Sequence, residues 1–345
     1  QVNTLPNAST DAESLKPLNV AIMNIIIITP AGPDSKAGNR ATALRWQRLL
    51  QQSGHQVRVE TEYQGAQCDL LIALHAWRSA NAIKAYKAAW PESPLIVALT
   101  GTDIYYHQHE YPDVTYESMD LSDLLIGLHD LVARDIPERY AHKLLTLRQS
   151  TDKPDVFGGS RLEAGQFHIC VLGHLRDEKD SLRAAIASHH LPEDSNIIVS
   201  CAGKPHNDKW RELALQESRS NPRFHWLGEL NRPELATLIA VSSVMVISSI
   251  MEGGANVISE ACRAELPILA SDIPGNRGLL GDDYPGYFPV KDDKALAELM
   301  ARTENDGAFL AELKKRVIAL AETFRPEQER QSLEKALALV VAAKD

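Results

Sequence analysis

Short apolar runs alternate with longer amphipathic stretches along the whole chain. Ile22–Thr29, Cys68–Leu74, Pro94–Leu99, Asp123–Leu128 and Leu144–Leu147 each read as a strand, and Gly54–Val59 opens another. The stretches between them carry helical spacing, as at Ala43, Trp46, Leu49 and Leu50. Strands that are apolar along their length and separated by helices predict a parallel sheet covered on both faces. A second series runs through Phe167–Leu172, Ile197–Cys201, Phe224–Leu227, Val244–Ser249, Pro267–Ser271 and Gly286–Val290. Between the two series, from Lys153 to Gly165, the composition turns to Pro, Gly, Asp and Ser, which predicts a linker. The pattern therefore predicts an α/β chain of two doubly wound, Rossmann-like domains, residues 19–155 and 165–325. A last helix over residues 326–345 follows from the apolar positions Leu333, Leu337, Val340 and Val341. Residues 1–18 are polar and aperiodic, which predicts a disordered extension.

Parallel sheets present their ligand residues just beyond the carboxyl ends of the strands. In the first domain those positions hold Gly38-Asn39-Arg40, His75, Arg78, Thr100-Gly101-Thr102-Asp103, Gln149 and Ser150. Gly38 would let a phosphate approach, and Arg40 could pair with it bidentately. The second domain says more. Val244–Ser249 breaks at Glu252-Gly253-Gly254, and Ala255-Asn256-Val257 leads into helical spacing at Val257, Ile258, Ala261 and Ala264. Strand, glycine turn and helix start make an anion site from unpaired backbone N–H groups, and the two glycines would let a ligand come close. Glu252 and Glu260, two helical turns apart, can accept hydrogen bonds from a polyol on either side of that anion. A nucleotide sugar has this shape. A solvated turn is the plainer reading of Gly-Gly alone.

Composition narrows the partners. With 36 Lys and Arg against 46 Asp and Glu, the formal charge is −10, which disfavours a nucleic-acid or anionic-membrane surface. Tyr and Trp are scattered, so no base-stacking surface is expected. No apolar run reaches membrane length. Cys68, Cys170, Cys201 and Cys262 are scattered without a C-x-x-C, which predicts buried reduced thiols and a cytoplasmic setting. His107, His109 and Glu110 share no helix face, so no metal is expected there.

Glu252-x7-Glu260, followed by Leu266–Ser271 and Ile273-Pro274-Gly275, resembles the donor-binding signature of the family-4 retaining glycosyltransferases of the GT-B fold. Gly173-His174-Leu175-Arg176-Asp177-Glu178-Lys179-Asp180 resembles that family's Gly-Arg-Leu-x-x-Glu-Lys-Gly, whose Arg and Lys hold the donor diphosphate. Here His174 occupies the Arg position; Arg176 is the favoured partner of Lys179, with His174 the alternative. In that fold the last helix returns to pack on the first domain. Two family features are absent: Thr100-Gly101-Thr102-Asp103 replaces His-Gly-x-Asp, and Arg148-Gln149-Ser150-Thr151-Asp152 replaces Pro-Asn-Gly-Val-Asp. Together with Thr29-Pro30-Ala31, Gly38–Trp46 and Leu74–Ala80, these segments resemble the selenosugar synthases (SenB) of selenoneine biosynthesis.

That resemblance implies transfer of a sugar, typically N-acetylglucosamine, from a UDP-sugar to selenophosphate, and then loss of phosphate to leave a 1-selenosugar. Arg40, Arg45, His75 and Arg78, with Thr100 and Thr102, would hold the acceptor. His75 would bind it or assist the phosphate loss, and Asp103 is the one candidate base or loop anchor. Glu252, Arg176, Lys179 and His75 would be catalytic. No cofactor and no metal are expected. An O-glycosyltransferase acting on a sugar or lipid, a nucleotide-sugar epimerase or hydrolase, and a non-catalytic binding module are the alternatives.

Overall fold

The computed structural model describes residues 21–33, 38–154 and 165–342; the expectations for residues 1–18 and for most of the linker lie outside them. The first sheet contains β1 (Asn24–Ile28), β2 (Gln56–Glu60), β3 (Leu70–Leu74), β4 (Leu95–Leu99), β5 (Leu124–Gly127) and β6 (Leu144–Thr146). Their order is β2-β1-β3-β4-β5-β6. The second sheet contains β7 (Phe167–Leu172), β8 (Ile197–Ala202), β9 (Phe224–Trp226), β10 (Val244–Ile247), β11 (Ile268–Ser271) and β12 (Tyr287–Phe288), in the order β12-β11-β10-β7-β8-β9. Every pairing is parallel, for example Ile25↔Leu70 and Val246↔Val171. These are the two doubly wound α/β sheets that the apolar runs predict.

Side-chain alternation explains why the strands read as continuous apolar runs. Ile25 and Ile27 of β1 face one core and Ile26 and Ile28 the other. The first face is covered by the helix Gly38–Gln52, through Ala43, Trp46, Leu49 and Leu50. The C-terminal helix, Pro326–Ala342, joins the same core through Leu333, Ala336, Leu337 and Val340. The chain thus crosses back from the second domain to the first. The second domain has its own core, built on Val199, Met245, Leu269 and the helices around them.

Strand order decides where ligands can bind. Reversal of the winding direction opens a crevice beyond the strand ends. In the first sheet the reversal lies at β1 and β3, and in the second at β7 and β10. The loops after these four strands carry Gly38, His75 with Arg78, Gly173–Lys179 and Glu252–Ala255.

Candidate active site in the interdomain cleft

The two crevices face each other across a cleft of about 670 Å³. Its first-domain wall includes Gly38, Asn39, His75, Arg78, Thr100, Gly101, Thr102 and Gln149. Its second-domain wall includes Arg176, Lys179, Glu252, Gly253, Gly254, Ala255, Asn256, Val257 and Glu260. Four predicted residues, Asp103, Arg40, Arg45 and Ser150, are in neither wall. Asp103 is fully buried, and its carboxylate accepts the N–H groups of Ala76, Thr100, Gly101 and Ile104 at 2.7–3.2 Å. It organises the loop and has no free lone pair for a base. Arg40 lines a second cavity instead of the cleft, so its expected phosphate pairing in the cleft is not what the fold provides. Gly38 and Asn39 form the first turn of the opening helix, and Arg40, next in that turn, projects elsewhere.

Arg45 does not face the acceptor side. Its guanidinium is 13% exposed and pairs with Glu329 of the C-terminal helix at 2.8 Å. Ser150 is held there too, its N–H and hydroxyl both donating to Glu329. Glu329 had no signal in the sequence, because its partners lie about 180 and 280 residues away. His75 is not a cation. Burial lowers its pKa to about 4, against a smaller opposing pull from Asp103. The Arg78 N–H donates to Nδ1 at 3.1 Å, which leaves the proton on Nε2 to donate to Thr102 Oγ1 at 2.9 Å. The Thr102 hydroxyl proton is then available to the cleft. A positive φ of 77° at His75 tucks the ring under this loop.

On the facing wall, Lys179 donates to Glu252, and the Ser249 hydroxyl donates to the same carboxylate oxygen at 2.6 Å. Ser271 holds the Ser249 carbonyl at 2.6 Å, and Asn276 holds Ser271. These serines and the asparagine are buried. The Gly173–Lys179 loop is fastened to the β10 loop by Ile250 N–H donating to Glu178 O at 2.8 Å. Arg176 is 41% exposed and 3.8 Å from Glu178. Glu260 lies deeper. Burial raises its pKa to about 7, although Arg45, Arg232 and Lys179 pull the other way.

The glycines have a structural task as well as the expected one. A Cβ on Gly253 would lie 2.2 Å from the Thr100 carbonyl carbon, and one on Gly254 would lie 2.6 Å from Leu128 Cβ. They let the two domains touch, and both also line the cleft. Gln149 adds a polar bridge once its amide is oriented to match the surrounding donors and acceptors, its nitrogen then reaching Gly254 O at 2.7 Å and Asn256 Oδ1 at 3.2 Å. Asp130 N–H donates to Gly278 O across the same gap at 3.2 Å.

Cleft residues missed from the sequence are Lys204 after β8, Glu229 and Leu230 after β9, and Leu128 after β5. The strand-end rule that located His75 would have located them as well. The four cysteines are buried and unpaired. His107 stacks on Trp77 and bonds to the Thr102 carbonyl. Among the described residues no group of three or more His, Cys, Asp or Glu could hold a metal ion, and no helix is long and apolar enough to cross a membrane.

Known proteins share this architecture. Residues 152–322 match the family "Glycosyl transferases group 1". The chain is 24% identical over 312 residues to glycosyltransferase 1 domain-containing protein 1 of Xenopus tropicalis, covering 83% of this chain and 88% of that one. Among solved structures it is similar to Anabaena HepE in complex with UDP and glucose, at TM-score 0.72 and 15% identity over 92% of this chain and 99% of that one. It is also similar to sucrose-phosphate synthase from Thermosynechococcus elongatus, at TM-score 0.75 and 15% identity, with the same coverage. The fold is GT-B, and residues 152–322 resemble the group 1 glycosyl transferases.

Proposed function

We propose that the chain transfers a sugar from a UDP-sugar, N-acetylglucosamine being the favoured sugar, to selenophosphate in a cytoplasmic setting. One observation carries the choice of acceptor: among the described residues, the first-domain wall of the cleft holds no carboxylate. It offers the Arg78 guanidinium, the Thr100 and Thr102 hydroxyls and the N–H groups at the start of the Gly38–Gln52 helix. Such a wall suits an anion that arrives already ionised, and it supplies no base for a hydroxyl acceptor. The donor reading rests on the opposite wall, where Lys179, Arg176 and the start of the Asn256–Arg263 helix converge. Anabaena HepE, of the same architecture, is solved in complex with UDP and glucose.

In this reading the bond between the sugar C1 and the diphosphate oxygen breaks, and UDP departs with the electron pair. Lys179 and Arg176 offset the developing charge. Lys179 and Ser249 both donate to Glu252 Oε1, which leaves Oε2 to accept from a sugar hydroxyl. A selenium lone pair forms the new bond to C1, and needs no proton removed. Water then attacks phosphorus, the selenium–phosphorus bond breaks, and phosphate leaves a 1-selenosugar. The protein's part is mostly positioning and leaving-group stabilisation, and no metal is invoked.

Mass spectrometry of the purified protein with UDP-sugars and selenophosphate tests this, with thiophosphate and phosphate as controls. A selenium-bearing sugar formed together with UDP is the expected product. UDP release with no selenosugar would refute the acceptor. A glycosylated sugar alcohol in an acceptor panel would support the O-glycosyltransferase reading, which the similarity to sucrose-phosphate synthase favours.

A further inference from the structure

A second cavity, of about 760 Å³, opens between the Gly38–Gln52 helix of the first domain and the Arg232–Val241 helix of the second. Its volume lies within the range of small-molecule sites. Arg40, Arg45, Arg48, Lys153 and Arg232 line it, against Asp152 and Glu260. Five cations on one cavity are unexpected in a chain of formal charge −10. Like charges brought together repel, and that repulsion is relieved by an anion bound among them.

Three of the five already have partners. Arg45 pairs with Glu329 at 2.8 Å, Arg48 with Asp152 at 3.6 Å and Lys153 with Glu265 at 3.7 Å. Arg40 and Arg232 have no salt bridge among the described residues. The Arg40 Nε is moreover shielded from solvent without a hydrogen-bond acceptor. A guanidinium donor that is desolvated and unpaired is costly to keep, and an incoming oxyanion would satisfy it. Beside the cations the lining is apolar: Leu235, Ala236 and Ile239 on the Arg232 helix, and Leu44, at 44% exposure, on the Arg40 helix.

We infer that this cavity is a second ligand site, taking a small organic phosphate whose anionic head pairs with Arg40 and Arg232 and whose apolar or flat body lies on the leucine wall. The inference does not depend on what occupies the cleft. The two sites share a partition, since Asn256, Glu260 and Leu235 line both. Arg232 and Arg45 on one side and Lys179 on the other all act on the Glu260 carboxyl. Occupancy of the second site therefore changes the field at the first.

The test is calorimetric titration of the full chain, with saturating UDP present, using inorganic pyrophosphate and phenyl phosphate as probes. Binding of both probes is expected. Arg40→Ala and Arg232→Ala should each weaken it about tenfold or more, the loss of one charge-assisted contact. Leu44→Ser should weaken phenyl phosphate and spare pyrophosphate. Co-sedimentation with phosphatidic-acid vesicles, lost in Arg40→Ala, would assign the phosphate to a lipid headgroup; soluble-probe binding alone would assign it to a free organic phosphate. No binding of either probe or vesicle at millimolar phosphate overturns the inference, as does binding that survives the combined Arg40→Ala and Arg232→Ala substitutions. Thermal unfolding of each variant verifies that the chain is folded. A failure of UDP itself to bind would count against the cleft reading and not against this one.

Discussion

Adding a single methyl group at Gly253 should open the molecule. A Cβ there would lie 2.2 Å from the Thr100 carbonyl carbon, 2.3 Å from its oxygen and 2.4 Å from the Gly101 nitrogen. Optimal separation of non-bonded carbons is about 3.5–4.0 Å, so the facing backbone must recede by roughly 1.3 Å. No side chain is in the way, so no rotamer change relieves the clash. The two domains have separate cores, and the cheapest relief is to part them at the cleft. A displacement of about 1 Å between reacting groups costs on the order of 100-fold in rate, or about 2.7 kcal/mol of barrier. Gly253→Ala should therefore lower kcat about 100-fold, while each core stays packed and the melting temperature moves by only a few degrees. UDP-release kinetics measure the first effect, and small-angle scattering measures the opening. Gly307→Ala is the control, because that glycine has nothing within 4 Å of the added carbon. A Gly253→Ala protein that turns over within twofold of wild type would mean that close contact between Thr100 and Gly253 has no bearing on catalysis.

Other substitutions separate the remaining roles. Arg78→Ala should raise KM for selenophosphate about tenfold or more and leave KM for the UDP-sugar unchanged; equal shifts in both would remove Arg78 from the acceptor wall. Glu329→Ala should destabilise the protein by about 3–5 kcal/mol in denaturant titrations, since it leaves the buried Arg45 uncompensated and Trp46 Nε1 and Ser150 unpaired. Glu329→Gln should cost about 1–3 kcal/mol, because one half of the amide must face a donor; no loss in either variant would contradict the hydrogen-bond geometry. His129 is buried against Tyr105, and burial lowers its pKa to about 4. The unfolded chain takes up a proton near pH 6.5 that the folded protein refuses until about pH 4, so wild-type stability from this site is lost as the pH falls. The stability advantage of wild type over His129→Gln should shrink by about 1.4 kcal/mol per pH unit between pH 6.5 and 4.5. A pH-independent difference would show that the histidine is protonated alike in both states.

The amino-acid sequence by itself determined the strands, the helices and the strand-end loops. Ile25 to Ile28 are apolar at every position, and only a sheet covered on both faces accommodates that. Glu252-Gly253-Gly254 likewise announced a turn before a helix, because a continuous apolar run gives way to period 3.6 around two glycines. What the tertiary structure alone decided is the direction in which each polar side chain is spent. Asp103 reads as a base or a loop anchor, and four neighbouring N–H groups on its carboxylate decide for the anchor. Arg40 and Arg45 stand five residues apart on one helix; both line the second cavity, and Arg45 alone is held by Glu329. Gly253 and Gly254 line the cleft and also let the two domains touch. Local pattern reports which face of an element is apolar, and hence the fold. A hydrogen bond or ion pair depends on which distant residue arrives opposite, and the 284 positions between Arg45 and Glu329 carry no local trace of that meeting.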